Sequence, residues 1–344
     1  MIPVLYTWWL LGAPVPVLEV DLRALPPLAT ATVADDPEPR SPLLSLPVCT
    51  LPPREVVRAF LRRAPGANSD RYREPEPLGL LALRSLVVEL GNAAAARALG
   101  QARIAGYLLC RSEEWAPVIV ALPNAADGRA PLLFRPGPAR PLVVQAPHPF
   151  FEAGTLDEAE ALFERLNARA MLVAGAHRCA STGRLACSGS TSVCDKRPGP
   201  FRASDAGHAP ASTFQVLHEA LSDLYPEAWS LSLHGMTGTG IIVSNGSSGQ
   251  VGPDSPVALL AEALKVGYPD QPIATCNEYA GGEIETLLCG TTNAQGRYLN
   301  EVDDVCAELA TRSTDRFLHL EQSVAARAHP EPLYQALDLV VPLR

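Results

Sequence analysis

Two periodicities of apolar residues follow one another along the second half of the chain. Short stretches of strand length, rich in apolar residues, occupy residues 142–145, 170–174, 229–233, 241–244 and 316–320. Between them, apolar residues recur at helical spacing, at Leu156, Ala159, Leu162, Phe163, Leu166, Phe214, Leu217 and Leu221, and again over 256–266. Strands that alternate with helices predict an α/β fold, in which a mostly parallel or mixed sheet is flanked by helices.

Two of the predicted helices begin with the pattern of a capping box. Thr155 is followed by Glu158, and Ser212 is followed by Gln215. In a capping box, the hydroxyl and the side chain three residues later each accept a hydrogen bond from a backbone N–H group of the first turn. We therefore expect both boxes to cap the helices that follow them.

The first 140 residues have a different pattern. They are rich in proline, and the expected elements are a short helix over 53–63, a helix or a strand–helix pair over 78–99, and a strand over 116–122. The sequence PGPARP at 136–141 breaks regular structure. We therefore predict an N-terminal accessory region of unknown role over 1–140 and a catalytic domain over 141–344.

Composition narrows the classes of function. Apolar residues make up 47 % of the 344 residues and charged residues 19 %, which is enough for a large core, and the formal net charge is −9. An acidic chain without a basic run argues against nucleic-acid binding, because a protein needs a basic face to neutralise phosphates. The apolar run Ile2–Val17 is short for a membrane span, so we expect none, with the remnant of an export signal as an alternative.

The eight cysteines leave three interpretations open. Three of them, Cys179, Cys187 and Cys194, lie in one loop-like stretch, while Cys276 and Cys289 form a second near pair. They could be free buried thiols, disulfides of an exported enzyme, or a metal–thiolate site. The compartment therefore stays open as well, with an exported or periplasmic location slightly favoured.

Ionisable side chains follow four of the predicted strands. His148 comes just after the first, His177 and Arg178 after the second, His234 after the third and Glu321 after the last. The carboxyl ends of the strands in an open α/β sheet border its ligand crevice. We therefore expect these side chains to form one site.

Residue types at this edge of the sheet indicate zinc. His148 and Glu152 could both ligate the metal from one short loop, and His234 is the best third ligand, because zinc prefers imidazole nitrogen and carboxylate oxygen. The fourth position would hold a water molecule that acts as the nucleophile, and Glu321 would be its general base.

The remaining polar candidates have less specific signals. Arg178 is predicted to hold a substrate carboxylate or to polarise the scissile carbonyl, or else to form a structural ion pair. Asp205 and His208 are expected to orient a ligand, with a further metal site or a turn as alternatives. Asn293 and Arg297 could bind substrate, although a turn with a solvated arginine fits equally well.

Other catalytic chemistries find less support in the sequence. No Ser occurs in a G-x-S-x-G motif, and neither of the glycine-rich phosphate-binding motifs is present. Cys179, next to Arg178, is a weaker candidate for a nucleophilic thiol. His218 and His329 are expected to be structural.

Three short motifs resemble one enzyme family. HPFFEAGT at 148–155 resembles the metal motif of phage and bacterial poly-γ-glutamate hydrolases, LHG at 233–235 its third-ligand segment, and LHLEQSVAAR at 318–327 its closing strand. The order His, Glu, His, Glu is similar to that of zinc carboxypeptidases, whose fold is a mixed sheet flanked by helices. The resemblance implies a zinc-dependent amidohydrolase or peptidase with His148, Glu152 and His234 as ligands and Glu321 as base.

Three functions from different classes remain in competition. The first is a zinc-dependent hydrolase of an amide bond near a carboxylate, acting on a peptide, a γ-glutamyl link or an N-acyl amino acid. The second is a non-catalytic metal- or ligand-binding protein derived from such a hydrolase. The third is a two-metal phosphoesterase in which Asp205 and His208 complete a second site.

Overall fold

One mixed sheet organises the protein. The computed structural model describes residues 43–112 and 118–342, and the apolar run over 2–17 lies outside them. The strands are β1 Tyr107–Arg111, β2 Ile119–Pro123, β3 Leu132–Phe134, β4 Arg140–Ala146, β5 Ala168–Val173, β6 Trp229–Gly235, β7 Ile241–Ser244, β8 Ile273–Thr275 and β9 Phe317–Gln322. Within the described residues they form a single nine-stranded sheet, in the order β1-β2-β3-β5-β4-β6-β9-β7-β8.

The centre of the sheet is parallel. Strands β5, β4, β6 and β9 pair in parallel, so their carboxyl ends meet at one edge. On one side β1, β2 and β3 continue the sheet in antiparallel pairs, and on the other β7 runs antiparallel to β9. The prediction of a mostly parallel or mixed α/β sheet flanked by helices is therefore confirmed.

Helices cover both faces of the sheet. They are α1 Pro53–Leu61, α2 Pro77–Gly91, α3 Ala95–Ala105, α4 Thr155–Arg165, α5 Thr213–Leu224, α6 Pro256–Gly267, α7 Ala294–Leu299, α8 Val324–Ala328 and α9 Glu331–Val340. The neighbouring residues Val143 and Val144 belong to two different apolar clusters, one under α2, α3 and α5 and one under α1, α4, α6 and α9. Alternate side chains of a strand point to opposite faces, so a strand buried on both faces reads as a continuous apolar run.

The described part of residues 1–140 belongs to the same sheet. Strand β3 pairs antiparallel with β5, and β4 begins at Arg140, so the predicted boundary after residue 140 falls inside a strand of the common sheet. The expected element over 78–99 divides into α2 and α3 at Ala93, which has a left-handed φ of 54°. The role of this region in function stays a prediction.

One predicted capping box is only half formed. The hydroxyl of Ser212 accepts a hydrogen bond from the backbone N–H of Gln215 at 3.1 Å, as the pattern predicts. The side chain of Gln215 does not return to Ser212, and its amide oxygen accepts from Gln295 instead. The hydroxyl cap alone therefore begins α5.

The other predicted capping box, at Thr155, is wrong. Helix α4 follows Gly154, whose φ of 93° suits glycine, and no side chain caps it. The hydroxyl of Thr155 donates to the carbonyl of Glu152 at 2.9 Å, and the carboxylate of Glu158 accepts from Gln322 at 2.6 Å. Neither side chain is therefore available to cap the helix, because Thr155 binds the loop that contains Glu152 and Glu158 binds Gln322 of β9.

All eight cysteines form disulfides, which removes the free-thiol and metal–thiolate interpretations. The pairs are Cys49–Cys110, Cys179–Cys194, Cys187–Cys306 and Cys276–Cys289. Because Cys179 is bridged to Cys194, it is not the nucleophile considered from the sequence.

Among the described residues, no helix combines the length and apolar character of a membrane span.

Candidate metal centre

The carboxyl edge of the parallel strands brings the predicted ionisable residues together. His148 lies two residues beyond the end of β4, and Arg178 lies in the loop after β5. His234 and Glu321 lie inside β6 and β9 and are directly opposite one another in the register of the two strands. Both side chains are therefore held by strand pairing rather than by a loop.

Nitrogen and oxygen atoms of three buried residues converge on one point. The Nδ1 atom of His148 lies 2.8 Å from Oε1 of Glu152 and 3.2 Å from Nδ1 of His234, and the latter lies 3.2 Å from Oε2 of Glu152. A turn allows the approach, because the backbone N–H of Glu152 donates to the carbonyl of His148 at 2.9 Å. The N–H of Gly235 donates to Oε2 of Glu152 at 3.1 Å and fixes the carboxylate.

The other ring nitrogen of each histidine already has a partner. Nε2 of His148 lies 2.7 Å from Oδ1 of Asp205, and Nε2 of His234 lies 3.0 Å from the hydroxyl of Ser232. A carboxylate or hydroxyl partner on the far nitrogen fixes the tautomer and ring orientation of a metal-ligating histidine. Both Nδ1 atoms are thereby free to face the common centre.

Charges at this centre are strongly coupled. Burial alone would raise the pKa of Glu152, but the adjacent rings of His148 and His234 outweigh it and hold this pKa well below its usual range. Burial and the Arg178 guanidinium disfavour a charge on His148, but the carboxylates of Glu152 and Asp205 outweigh them and raise its pKa to about 8. At neutral pH these charges favour the protonated ring of His148.

The donor set fits a zinc ion. Ligand atoms of His148, Glu152 and His234 all lie within 4.8 Å of one another. Two imidazole nitrogens with one carboxylate form a three-ligand set that leaves a further position open, as in catalytic zinc sites. The convergence of their donor atoms in a buried setting is the observation that supports a metal here.

Glu321 lies beside this set with its carboxylate uncommitted. Among the residues that the structure describes, no hydrogen bond ends on its side chain. Nε2 of His319 lies 3.9 Å from its Oε1, in a ring whose pKa burial holds well below its usual range. Burial, with the nearby charge of Glu152, raises the pKa of Glu321 to about 8. A carboxylate of this kind is suited to accept and return a proton.

His319 was not singled out from the sequence. It precedes Glu321 by two residues on β9, so both side chains point to the same face of the sheet. Its ring lies 4.5 Å from the ring of His234, and it forms a further group of potential metal ligands with His234 and Glu321. The alternation of the strand was the signal that could have identified it.

Asp205 is the shared partner behind the candidate ligands. Its Oδ2 accepts from Nε and Nη2 of Arg178 at 3.0 and 2.7 Å, and its Oδ1 contacts both His148 and Nδ1 of His208, the latter at 2.9 Å. The remaining nitrogen of Arg178, Nη1, lies 3.5 Å from Oε1 of Glu152. The structure thus places Asp205, His208 and Arg178 next to His148, and the orienting role expected for Asp205 and His208 stays a prediction.

The two residues considered for substrate binding occupy different settings. The side-chain oxygen of Asn293 accepts from two N–H groups at the start of α7, so Asn293 caps that helix. Arg297 is 1 % exposed and donates to the carbonyls of Thr291, Val305 and Cys306 and to the hydroxyl of Ser188. These contacts hold several loops together and engage each of the three nitrogens at least once, and substrate binding by Asn293 and Arg297 stays a prediction.

Comparison with known proteins finds similar chains among solved structures alone. No protein-family model matches the sequence, and no curated protein matches it either. Among solved structures, a zinc-free form of YndL has 12 % identity and a TM-score of 0.30 over 61 % of this chain and 87 % of that one. Succinylglutamate desuccinylase from Vibrio cholerae has 16 % identity and a TM-score of 0.35 over 68 % and 64 %.

The same enzyme from Vibrio parahaemolyticus has 9 % identity and a TM-score of 0.35 over 74 % of this chain and 80 % of that one. At TM-scores of this size we draw no conclusion about activity from the likeness. Any assignment of function therefore depends on the geometry of the candidate centre.

Proposed function

We propose that this protein is a zinc-dependent hydrolase of an amide bond near a carboxylate. Its substrates would be small molecules or peptides, with a peptide bond, a γ-glutamyl link or an N-acyl amino acid at the reacting position. One observation carries the proposal: Nδ1 of His148, Nδ1 of His234 and the carboxylate of Glu152 face one point, while the far nitrogens of both rings are held by other side chains.

The chain's own residues would handle the proton and the developing charge. Zinc, when bound, supplies Lewis-acid chemistry, because it makes water acidic near neutral pH and polarises a carbonyl group. The carboxylate of Glu321 takes the proton of the attacking water and delivers it to the leaving nitrogen. Since no hydrogen bond among the described residues ends on that carboxylate, both of its oxygens are available for this transfer.

Of its three expected roles, Arg178 already has the ion pair, with Asp205, and its contacts favour one of the two catalytic roles. Asp205 already accepts from Nε and Nη2, so one of the two edges of the guanidinium that could bind a carboxylate in bidentate fashion is in use. Only Nη1 faces the candidate ligands, at 3.4 Å from Nδ1 of His148. A single fixed donor in a buried site suits the negative charge that develops on the carbonyl oxygen.

A two-metal phosphoesterase has less support. His148, Asp205 and His208 form a group of potential ligands, as the hypothesis requires. Both oxygens of Asp205 are already engaged by His148, His208 and the positive Arg178, so a second cation there would have to displace a charge-assisted pair.

The substitution Glu321→Gln tests the proposed role of the base. It keeps the size of the side chain but removes the proton acceptor, so we expect zinc to stay bound and turnover to fall by about 100-fold or more. The control is Glu331→Gln, an exposed glutamate paired with Arg165. Hydrolysis is measured on a panel of peptides, γ-glutamyl amides and N-acyl amino acids.

Each outcome of this experiment points to a different function. Wild-type turnover in Glu321→Gln would remove Glu321 from the mechanism. Stoichiometric zinc in the wild type, without hydrolysis of any amide or ester in the panel, would favour the non-catalytic binding protein.

A further inference from the structure

The residues of the candidate centre lie side by side in the order of the strands that carry them. In the sheet, β5, β4, β6 and β9 are neighbours in this order. Arg178 follows β5 and His148 follows β4, while His234 and Glu321 lie near the ends of β6 and β9. The Arg178 guanidinium and the candidate base therefore lie on opposite sides of the candidate ligands.

This order assigns the two halves of a substrate to different sides of the centre. Under the proposed hydrolase function, Glu321 delivers a proton to the leaving nitrogen, so that nitrogen lies on the β9 side. The acyl group is the other substituent of the carbonyl carbon, and it then extends toward β5 and the loop after it. The side chains on the β5 side therefore determine which acyl groups fit.

Phe151 presents an exposed ring on the β5 side. It lies in the turn between His148 and Glu152, where its backbone N–H donates to the carbonyl of His148 at 3.0 Å. Phe151 is 48 % exposed, whereas the preceding Phe150 packs against the apolar core. Because removal of apolar surface from water is favourable, this ring can stabilise a bound apolar group.

Contacts with the loop after β5 hold the Phe151 ring in place. The Cζ atom of Arg178 lies over this ring, 5.8 Å from its centroid. The ring of His177 lies edge to face with it, at a centroid distance of 5.8 Å and an angle of 88°. The same guanidinium directs Nη1 at Nδ1 of His148, 3.4 Å away. The side chain of Arg178 thus connects the exposed ring to the candidate centre.

We propose that Phe151 and His177 form a subsite that binds the acyl group of the substrate and selects aromatic or apolar acyl groups, a proposal that rests on the proposed hydrolase function. The acyl group packs on the solvent-exposed part of the Phe151 ring, while Nη1 of Arg178 faces the carbonyl oxygen. The carboxylate of the proposed substrate then belongs to the leaving half.

This subsite narrows the class of substrate. It fits an N-acyl amino acid with an aromatic or apolar acyl group, or a peptide with such a side chain just before the scissile bond. A γ-glutamyl link fits least, because its acyl half carries charged groups that lose hydration against an apolar ring.

Binding of three hydroxamates to zinc-loaded protein tests the subsite, because the hydroxamate group ligates zinc and keeps each probe at the centre. Acetohydroxamate has a methyl group on its carbonyl carbon, benzohydroxamate has a phenyl ring there, and N-benzylacetohydroxamate has its ring on the nitrogen. We expect the wild type to bind benzohydroxamate about tenfold more tightly than acetohydroxamate, since the phenyl ring buries apolar surface on Phe151. Isothermal titration calorimetry measures the three affinities.

Variants of Phe151 make the test specific. Phe151→Ala should reduce the preference for benzohydroxamate to about twofold or less and leave the other two affinities within about twofold. Phe151→Tyr keeps the ring and should keep the preference. Leu339→Ala is the control for loss of an exposed apolar side chain, because its neighbour Asp338 pairs with Arg140 at the amino end of β4, away from the candidate centre.

The results separate the subsite from the hydrolase itself. No preference for benzohydroxamate in the wild type, or a preference that persists in Phe151→Ala, overturns the subsite. Weaker binding of N-benzylacetohydroxamate in Phe151→Ala would place the ring on the leaving side and also contradict it. The three wild-type affinities still test the proposal if Phe151→Ala does not fold. Zinc content is measured on the same samples, and a wild type that binds no zinc would remove the hydrolase, and the subsite with it.

Discussion

His148 and His234 depend on partners that fix which ring nitrogen each presents. Asp205 holds Nε2 of one ring, and Ser232 holds Nε2 of the other. The sequence pattern placed His148 and His234 at strand ends, because apolar runs mark where strands stop. It did not predict the nitrogen used, since Asp205 is 57 residues away from its partner and only the folded loop brings them together.

Protonation of His148 makes zinc affinity depend on pH. Burial and Arg178 disfavour the charged ring, but Glu152 and Asp205 outweigh them and raise the pKa of His148 to about 8 in the metal-free chain. Zinc requires the neutral ring, so below this pH it has to displace a proton. We expect the zinc affinity to fall about tenfold per pH unit as the pH decreases from about 8 to 6.

Chelator competition at a series of pH values measures this dependence. The affinity should level off above about pH 9, where the ring of His148 is already neutral. An affinity that does not change between pH 6 and pH 8 would contradict the charge coupling between His148 and its two carboxylates.

Strand β9 presents side chains of the candidate centre on one face and a side chain that contacts helix α4 on the other. His319 and Glu321 point toward the candidate centre, whereas Gln322 points to the opposite face and donates to Glu158 of α4. The apolar run indicated a strand that ends at residue 320, one residue before Glu321. Pairing of β9 with β6 and β7 extends the strand to Gln322, and this long-range pairing is absent from the local pattern.

Glu158 makes the free energy of unfolding of the protein depend on pH. Burial raises its pKa from 4.5 to about 7, against the lowering effects of Gln322 and Arg327. Because the folded-state pKa is the higher one, the stabilisation is complete below about pH 4.5 and is lost as the pH rises through about 7. We expect the wild type to lose up to roughly 3 kcal/mol more than Glu158→Gln between pH 5 and pH 8.

Urea unfolding at both pH values measures the difference. Glutamine cannot ionise, so the free energy of unfolding of the variant should change less over this range. Glu331→Gln, on an exposed glutamate, should follow the wild type. Parallel pH profiles of wild type and Glu158→Gln would show that Glu158 is not buried as a neutral acid.

At the scale of the whole molecule, the central strands of the sheet were easier to predict than the short strands nearer its edges. Strands β4 and β5 contain apolar runs buried on both faces, and β6 and β9 alternate apolar residues with buried Ser or His, and the sequence pattern indicates both kinds of strand. Strands β3 and β8 have only three residues each, too few for a period, and they are strands only because a neighbour pairs with them. The sheet therefore extends past the predicted boundary at residue 140.

The sequence also did not predict which cysteines pair, because their spacing alone does not determine the connectivity of disulfides. Cys187–Cys306 spans 119 residues, whereas Cys276–Cys289 spans 13. Four disulfides fit an oxidising compartment, and we expect the protein to be exported.

Loss of each bridge should destabilise the fold according to the loop it closes. In the chain-entropy model, Cys187→Ser with Cys306→Ser costs roughly 5 kcal/mol, and Cys276→Ser with Cys289→Ser roughly 3 kcal/mol. Chemical unfolding of the two double variants measures both values. A larger loss for the short bridge would mean that native packing, and not loop closure, dominates.

Metal content per chain is the measurement that tests the central claim most directly. Elemental analysis is made on the wild type, on His234→Ala and on His329→Ala, whose exposed ring lies after α8 and outside the candidate centre. We predict about one zinc per chain in the wild type and in His329→Ala, and loss of zinc in His234→Ala. A wild type that neither contains zinc nor takes it up would contradict the assignment of His148, Glu152 and His234 as a metal centre.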